Sequence, residues 1–151
     1  MRLAPREALS YRGNGYVRYV RLSLNDWGFV VMARYPALFS LGIKIGELHA
    51  SLQKVFEGCN LNMIYDTPEY VMAREIPGQV PFPKLVTVEV LIDRTTATPN
   101  AVNLKLVVKN EELPLQSGNH CAQMFDRING AINSGTDWTV LESFTGEEES
   151  R

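Results

Sequence analysis

The sequence predicts a two-layer α+β fold, in which two helices pack on one face of a predominantly antiparallel sheet. Three observations predict it: two segments of strictly alternating apolar residues, two segments with apolar residues three and four apart, and the element order β-β-α-β-β-β-β-α-β. Strands that follow one another between helices favour antiparallel pairing with the helices on one side. The 151 residues suit one domain. We expect a loose leader over 1–14, a globular domain over 15–145 and an acidic flexible tail over 146–151.

A β-hairpin is predicted at the start of the domain. The β-branched and aromatic residues over 16–24 and 27–35 favour two strands. Between them, Asn25 and Asp26 tolerate the left-handed backbone conformations that a two-residue type I′ turn requires.

The first helix is predicted over 36–58. Pro36 suits its first turn, because the N–H that proline lacks would be unpaired there, and Gly58 suits its C-terminal cap. The apolar face of this helix consists of six residues at helical spacing: Leu38, Leu41, Ile45, Leu48, Leu52 and Val55. A ridge of small residues favours close packing on the sheet, with helix–helix association as the alternative; it consists of Gly42, Gly46 and Ala50.

The remaining elements follow from turn residues and alternation. Residues 60–76 divide at 66–69 into two short strands, and the three prolines over 76–83 predict a rigid crossover loop, because proline has no N–H for a sheet ladder. Two long strands over 85–93 and 101–109 are joined by a loop over 95–100. Their predicted buried face consists of Val86, Val88, Val90, Ile92, Val102, Leu104, Leu106 and Val108. A second helix over about 117–132 and a short final strand containing Trp138, Val140 and Phe144 complete the chain.

The composition is that of an ordinary globular protein. Apolar residues make up 45% and charged residues 21%, which excludes a disordered chain. The two cysteines are too few for a disulfide framework and have no zinc-binding spacing, so we expect free thiols in a reducing compartment. We therefore expect a cytoplasmic protein, with an organelle stroma or matrix as the alternative. Apolar runs are too short for a secretory signal or a membrane span, and we expect no membrane partner, cofactor or metal.

One candidate for chemistry is the stretch Ser117-Gly118-Asn119-His120-Cys121 at the predicted start of the second helix. A thiol in the first turn of a helix lies near the positive end of the helix dipole, and an imidazole can accept its proton. Neighbouring side chains on a helix, however, point about 100° apart. The apolar spacing predicts Cys121 on the core face and His120 beside it, with Ser117 as the N-cap and Asn119 as the alternative. Cys121 and His120 thus remain the only catalytic candidates, and a structural helix start is favoured.

The main functional hypothesis is a non-enzymatic binding or assembly module. Opposite the buried face of the two long strands lies a mixed face on which apolar Leu91 and Val107 stand among charged residues such as Glu89 and Lys105. This mixture is typical of a modest protein interface. The sequence therefore predicts contacts with a protein partner, or with a second copy of the chain, through this face or a sheet edge.

Two alternatives stay open. In the first, a cup between the second helix and the sheet holds a small apolar ligand or substrate; it is lined by Met124, Phe125 and the face of residues 86–92. The second is single-stranded nucleic-acid binding, because arginine contacts phosphate and tyrosine stacks on bases. Its candidate residues are Arg12, Tyr16, Arg18, Tyr19 and Arg21. Strand alternation divides these residues between two faces, and the net charge of −2 disfavours nucleic acid. No enzyme motif favours catalysis.

Overall fold

The computed structural model describes residues 16–21, 29–112 and 119–145. Its elements follow the predicted order, and the fold is α+β. The strands are β1 (Tyr16–Arg21), β2 (Phe29–Gly42), β3 (Leu61–Asp66), β4 (Tyr70–Glu75), β5 (Thr87–Thr98), β6 (Ala101–Asn110) and β7 (Thr139–Thr145). The helices are α1 (Ile45–Gly58) and α2 (His120–Asn133). The predicted turn at Asn25 and Asp26, the leader and the tail lie outside the described residues.

All described strand pairs are antiparallel and belong to one sheet. The strands lie in the order β1-β2-β6-β5-β4-β3, and β7 also pairs with β2. The two outer neighbours share one side of β2: β1 pairs with residues 29–34 and β7 with residues 37–42, whereas β6 pairs with residues 33–41 on the other side. Strand β2 therefore joins three strands and lies at the centre of the sheet's hydrogen bonding.

The prediction that a helix begins at Pro36 is wrong, because residues 36–42 continue strand β2 and α1 begins at Ile45. The same segment also has the two-residue period of a strand. Alternate residues along β2 are at most 2% exposed and face the helices: Ala33, Tyr35, Ala37, Phe39 and Leu41. Pairing with β6 and β7 satisfies the backbone of this segment, and it outweighs the local preference for a helix.

Strand β2 accommodates Pro36 because of where its neighbours end. Backbone N–H groups of a strand alternate sides, and the N–H of Ala33 donates to the carbonyl oxygen of Glu112 on the β6 side, at 3.1 Å. Position 36 would therefore donate on the opposite side. On that side β2 pairs with β1 only up to Arg34, and its pairing with β7 begins at Ala37. The missing N–H of Pro36 therefore falls in the gap between these two partner strands.

Smaller differences have local causes. Strand β5 runs on to Thr98, so the predicted loop over 95–100 is reduced to a turn at Pro99 and Asn100. The predicted crossover loop contains a 3₁₀ turn over Phe82–Lys84. A register shift lies between Met63 and Tyr65, and Tyr65 is 55% exposed although Leu61 earlier in the same strand is buried. Gly58 is the last residue of α1, and Cys59 is the cap.

The core lies between the helices and one face of the sheet. Helix α1 contributes Leu48, Leu52 and Phe56. The stripe predicted for α2 is confirmed as its buried face: Cys121, Met124, Phe125, Ile128 and Ile132. The rings of Phe125 and Tyr35 stack at a centroid distance of 5.5 Å, which locks α2 onto β2. The predicted buried residues of β5 and β6 are all in this core, so the other face of these strands is the one turned away from the helices.

Candidate functional site

Two regions contain the residues that the sequence singled out: the start of α2, and the sheet face turned away from the helices, which we call the open face. The start of α2 lies beside the core, at the ends of β4 and β6. The open face is formed by alternate side chains of β2, β4, β5, β6 and β7.

At the start of α2, the thiol of Cys121 and the imidazole of His120 have separate partners. Cys121 is fully buried, and its Sγ lies 3.6 Å from the carbonyl oxygen of Val108. Burial, with the nearby carboxylates of Glu112 and Glu75, raises the pKa of this thiol, so the protonated form is favoured at neutral pH. The Nε2 of His120 lies 2.8 and 2.9 Å from the two carboxylate oxygens of Glu75. The arrangement is a buried anchor between α2 and β4.

A carboxylate that the sequence analysis did not single out caps α2. Glu112 accepts hydrogen bonds from the backbone N–H groups of Cys121 (2.8 Å) and His120 (3.1 Å), and from the side-chain amide of Asn110 (2.7 Å). Burial would raise the pKa of Glu112. The hydrogen bonds from Asn110, His120 and Cys121, together with the ammonium of Lys84, outweigh burial and hold this pKa below its usual range.

Asn119 completes the cap. Its side-chain oxygen accepts from the N–H of Ala122 at 2.9 Å, so the N-cap is Asn119, the alternative, and not the favoured Ser117, which lies outside the described residues. The N–H groups at the start of α2 are thus paired with the chain's own acceptors. The hydrogen bonds at the start of α2 therefore connect this helix to the rest of the fold.

The second histidine makes a separate contact. His49 on α1 pairs through Nδ1 with the carboxylate of Asp66 at the end of β3, next to a shallow concavity of about 390 Å³ that also includes Arg94. The pair links α1 to the strand that follows it. Within the described residues, no group of three histidine, cysteine or carboxylate side chains has a geometry that could hold a metal ion.

The open face is organised in rows that run across the strands. Residues directly opposite one another in the register share a row and a face. The central row contains Tyr70, Leu91, Lys105, Leu38 and Phe144. On one side of it lies the acidic row: Asp93, Asn103, Ser40 and Glu142. On the other side lies the packed row: Met72, Glu89, Val107 and Pro36. Beyond the packed row lies the basic row: Arg74, Thr87, Lys109 and Arg34.

The four partner-binding residues predicted from the sequence lie together on this face. Leu91 is opposite Lys105, and Glu89 is opposite Val107. Their accessibility differs, because Leu91 is 51% exposed whereas Val107 is 3% exposed and forms the floor of the packed row. Val107 therefore supports its neighbours and offers little surface of its own.

Glu89 is bound within the face. Its Oε2 lies 3.2 Å from the ammonium of Lys109 and accepts a hydrogen bond from the hydroxyl of Tyr70 at 3.0 Å. Desolvation, and then this bond to a carboxylate, raise the pKa of Tyr70. Asp93 is held differently, since the hydroxyl and backbone groups of Thr95 and Thr96 donate to it and lower its pKa. The acidic row therefore carries an ionised carboxylate in a fixed position.

The central and acidic rows border a groove of about 490 Å³. Apolar side chains from β2, β5 and β7 meet there, and two of them, Leu91 and Phe144, are 51% and 46% exposed. Sequence reasoning missed Leu38 and Phe144. Leu38 had been assigned to a helix face, and nothing in the order of residues indicates that β7 pairs with β2 and brings Phe144 opposite Leu38.

The described residues of the two alternative sites lie in strand β1 and in the core. Residues Tyr16, Arg18, Tyr19 and Arg21 lie in β1, which pairs with the first half of β2, and Arg12 lies outside the described residues. The residues of the predicted apolar cup are part of the core. They are 0–5% exposed: Met124, Phe125, Val86, Val88, Val90 and Ile92.

No protein-family model matches the chain, and no curated protein matches it. In the part of the chain that the structure describes, no helix combines the length and apolar character needed to cross a membrane.

We predict that native Cys121 reacts slowly with a thiol-alkylating reagent, because the side chain is fully buried and its pKa is raised. At pH 7.5, labelling of Cys121 followed by peptide mass spectrometry should be at least about 100-fold slower in the native protein than in urea. Cys59, which is buried with a raised pKa as well, is an internal comparison. Labelling of Cys121 at the rate of a free thiol would show that its first helical turn is reactive.

We also predict that the Glu112 cap makes stability depend on pH. Because the pKa of Glu112 is lower in the folded protein, its contribution is full above the unfolded pKa of about 4.3 and is lost as the pH falls through the folded pKa. In urea unfolding at pH 7, Glu112→Gln should cost about 1–3 kcal/mol. The variant should also lose less stability than the wild type between pH 6 and acid. The adjacent, exposed Glu111→Gln is the control; equal pH profiles for all three proteins would contradict the assignment.

Proposed function

We propose that this chain is a binding module that makes protein contacts through the open face of its sheet. The observation that carries the proposal is the central row, in which exposed apolar side chains from separate strands line one groove. Exposed apolar groups that are contiguous and bordered by polar residues are typical of protein interaction sites. The helices cover the opposite face, so the open face is the broad surface available for docking.

The chemistry of the groove supports a protein partner. Its apolar centre is bordered by Asp93 and Asn103 on one side and contains the amphipathic side chain of Lys105. An apolar centre with a polar rim is the usual anatomy of a protein interface. The groove is open and shallow along the sheet, which suits a broad contact better than enclosure of a small molecule.

We predict that a photo-crosslinking amino acid placed at position 91 forms a covalent adduct with a protein in extracts of the source cell. Leu91 is 51% exposed in the centre of the proposed contact. The same amino acid at position 82 is the matched control, because Phe82 is 71% exposed and lies on the 3₁₀ turn away from the open face. The mass of the adduct, measured by denaturing electrophoresis and mass spectrometry, identifies the partner or a second copy.

The adduct should require the rest of the groove. Phe144→Lys should reduce the yield by roughly tenfold, because it removes an aromatic contact next to Leu38. Leu141→Lys is the matched control on the same strand, since Leu141 is 53% exposed but does not border the groove. If position 91 forms no adduct, or if Leu141→Lys and Phe144→Lys act alike, the open face is not the contact surface.

A further inference from the structure

We infer that the partner of the open face is a second copy of this chain, docked face to face with its strands reversed. The inference rests on the proposed function, and it adds the identity and orientation of the partner. It is carried by the order of the four rows, which makes the open face complementary to itself.

Charge changes sign along the strands of the open face. The acidic row carries Asp93 and Glu142, whereas the basic row, three rows away, carries Arg74, Lys109 and Arg34. The central and packed rows between them hold most of the apolar side chains. The two outer rows therefore carry opposite charge, and the two rows between them are mainly apolar, with Lys105 in the central row and Glu89, which pairs with Lys109, in the packed row.

A two-fold axis that runs parallel to the rows, between the central and packed rows, brings complementary rows together. Sheets that pack face to face lie about 10 Å apart. Under this rotation the central row of each copy covers the packed row of the other, and the acidic row of each covers the basic row of the other. Both contacts occur twice, as an isologous dimer requires. The exposed apolar side chains of the central row are thus buried against the packed row of the other copy, and each charged outer row faces a row of opposite sign.

Individual side chains suit this arrangement. Asp93 would lie over Thr87 of the second copy, between the cations of Arg74 and Lys109 on the neighbouring strands. Arg34 has a buried Nη1 without a hydrogen-bond acceptor in the part of the chain that the structure describes. Glu142, an exposed carboxylate on β7, would approach the row that contains this guanidinium. Because Nη1 itself is buried, this carboxylate would meet the guanidinium at its accessible side, where a charge-assisted contact adds to the docking.

The size of the face is sufficient for a dimer. Five strands at about 4.8 Å and four rows at about 6.6 Å give a footprint of at most roughly 24 by 26 Å, because β7 extends over the central and acidic rows alone. The corrugated surface over that footprint is comparable with the ~800 Å² of accessible surface that each partner contributes to a standard interface. A second copy therefore covers the exposed apolar row without help from a sheet edge.

The first test is sedimentation of the full wild-type chain. We expect a species of twice the 17.0 kDa chain mass, with association that weakens as salt is added because two pairs of charged rows are screened. A monomer at all concentrations up to about 100 μM and at low salt would overturn the inference, because a standard-size interface forms below that range.

The second test reverses one row at a time. The first variant, Ser40→Lys with Glu142→Lys, makes the acidic row basic; the second, Arg74→Glu with Thr87→Glu, cancels the net positive charge of the basic row and places a carboxylate opposite Asp93 of the other copy. Each variant alone should dimerise at least about 100-fold more weakly than the wild type, because like charges then face each other. An equimolar mixture should recover a dimer that contains one copy of each. The matched control changes the same charge on exposed α1: Gln53→Lys with Glu57→Lys.

Circular dichroism first shows whether each variant is folded. The sedimentation result for the wild-type chain does not depend on the folding of any variant. A dimer that both row variants leave intact, or a mixture that stays monomeric, would overturn the reversed face-to-face docking. The proposed function fails separately. If position 91 captures a different protein while the purified chain is monomeric, the open face is a contact surface but its partner is not a second copy.

Discussion

The alternation of side chains along strand β2 is the constraint on which the rest of the structure depends. This strand pairs with β1, β6 and β7, and its alternate residues Tyr35 and Phe39 enter the core under the helices. Leu38 and Ser40, the two residues next to Phe39, necessarily stand on the other face. The buried residues of β2 thus place the helices on one side of the sheet. Its other residues form a central part of the open face on the opposite side.

The scarce residues that first suggest chemistry have structural partners. The imidazole of His120 is bound to Glu75 on β4, and the buried thiol of Cys121 lies near backbone carbonyls, while Glu112 and Asn119 pair with the first N–H groups of α2. The two buried carboxylates of Glu75 and Glu112 are stable because N–H groups donate to both of them and the ammonium of Lys84 lies near Glu112. The polar cluster holds α2 against the sheet. The open face, by contrast, carries exposed side chains arranged in rows.

Much of the fold can be predicted from local patterns, and the site less so. Alternation in β5 and β6 and the stripe of α2 identify their buried faces, because burial on one side imposes a period on the chain. Residues 36–42 fit both a helix and a strand, and pairing with β6 decides between them. Glu112 and Phe144 acquire their roles through contacts with distant residues. Local sequence carries no signal for such contacts, so the mixed face was predictable while its rows and groove were not.

We expect a second copy of the chain to cover the open face in solution, and side-chain footprinting with a photogenerated carbene measures that coverage at Leu91. Leu91 in the central row and Phe82 on the 3₁₀ turn are both exposed in the single chain. If a second copy covers Leu91, labelling of Leu91 should fall to a plateau as protein concentration rises, while labelling of Phe82 stays constant. Constant labelling of Leu91 over the whole range, in parallel with Phe82, would contradict coverage of this face by a second copy.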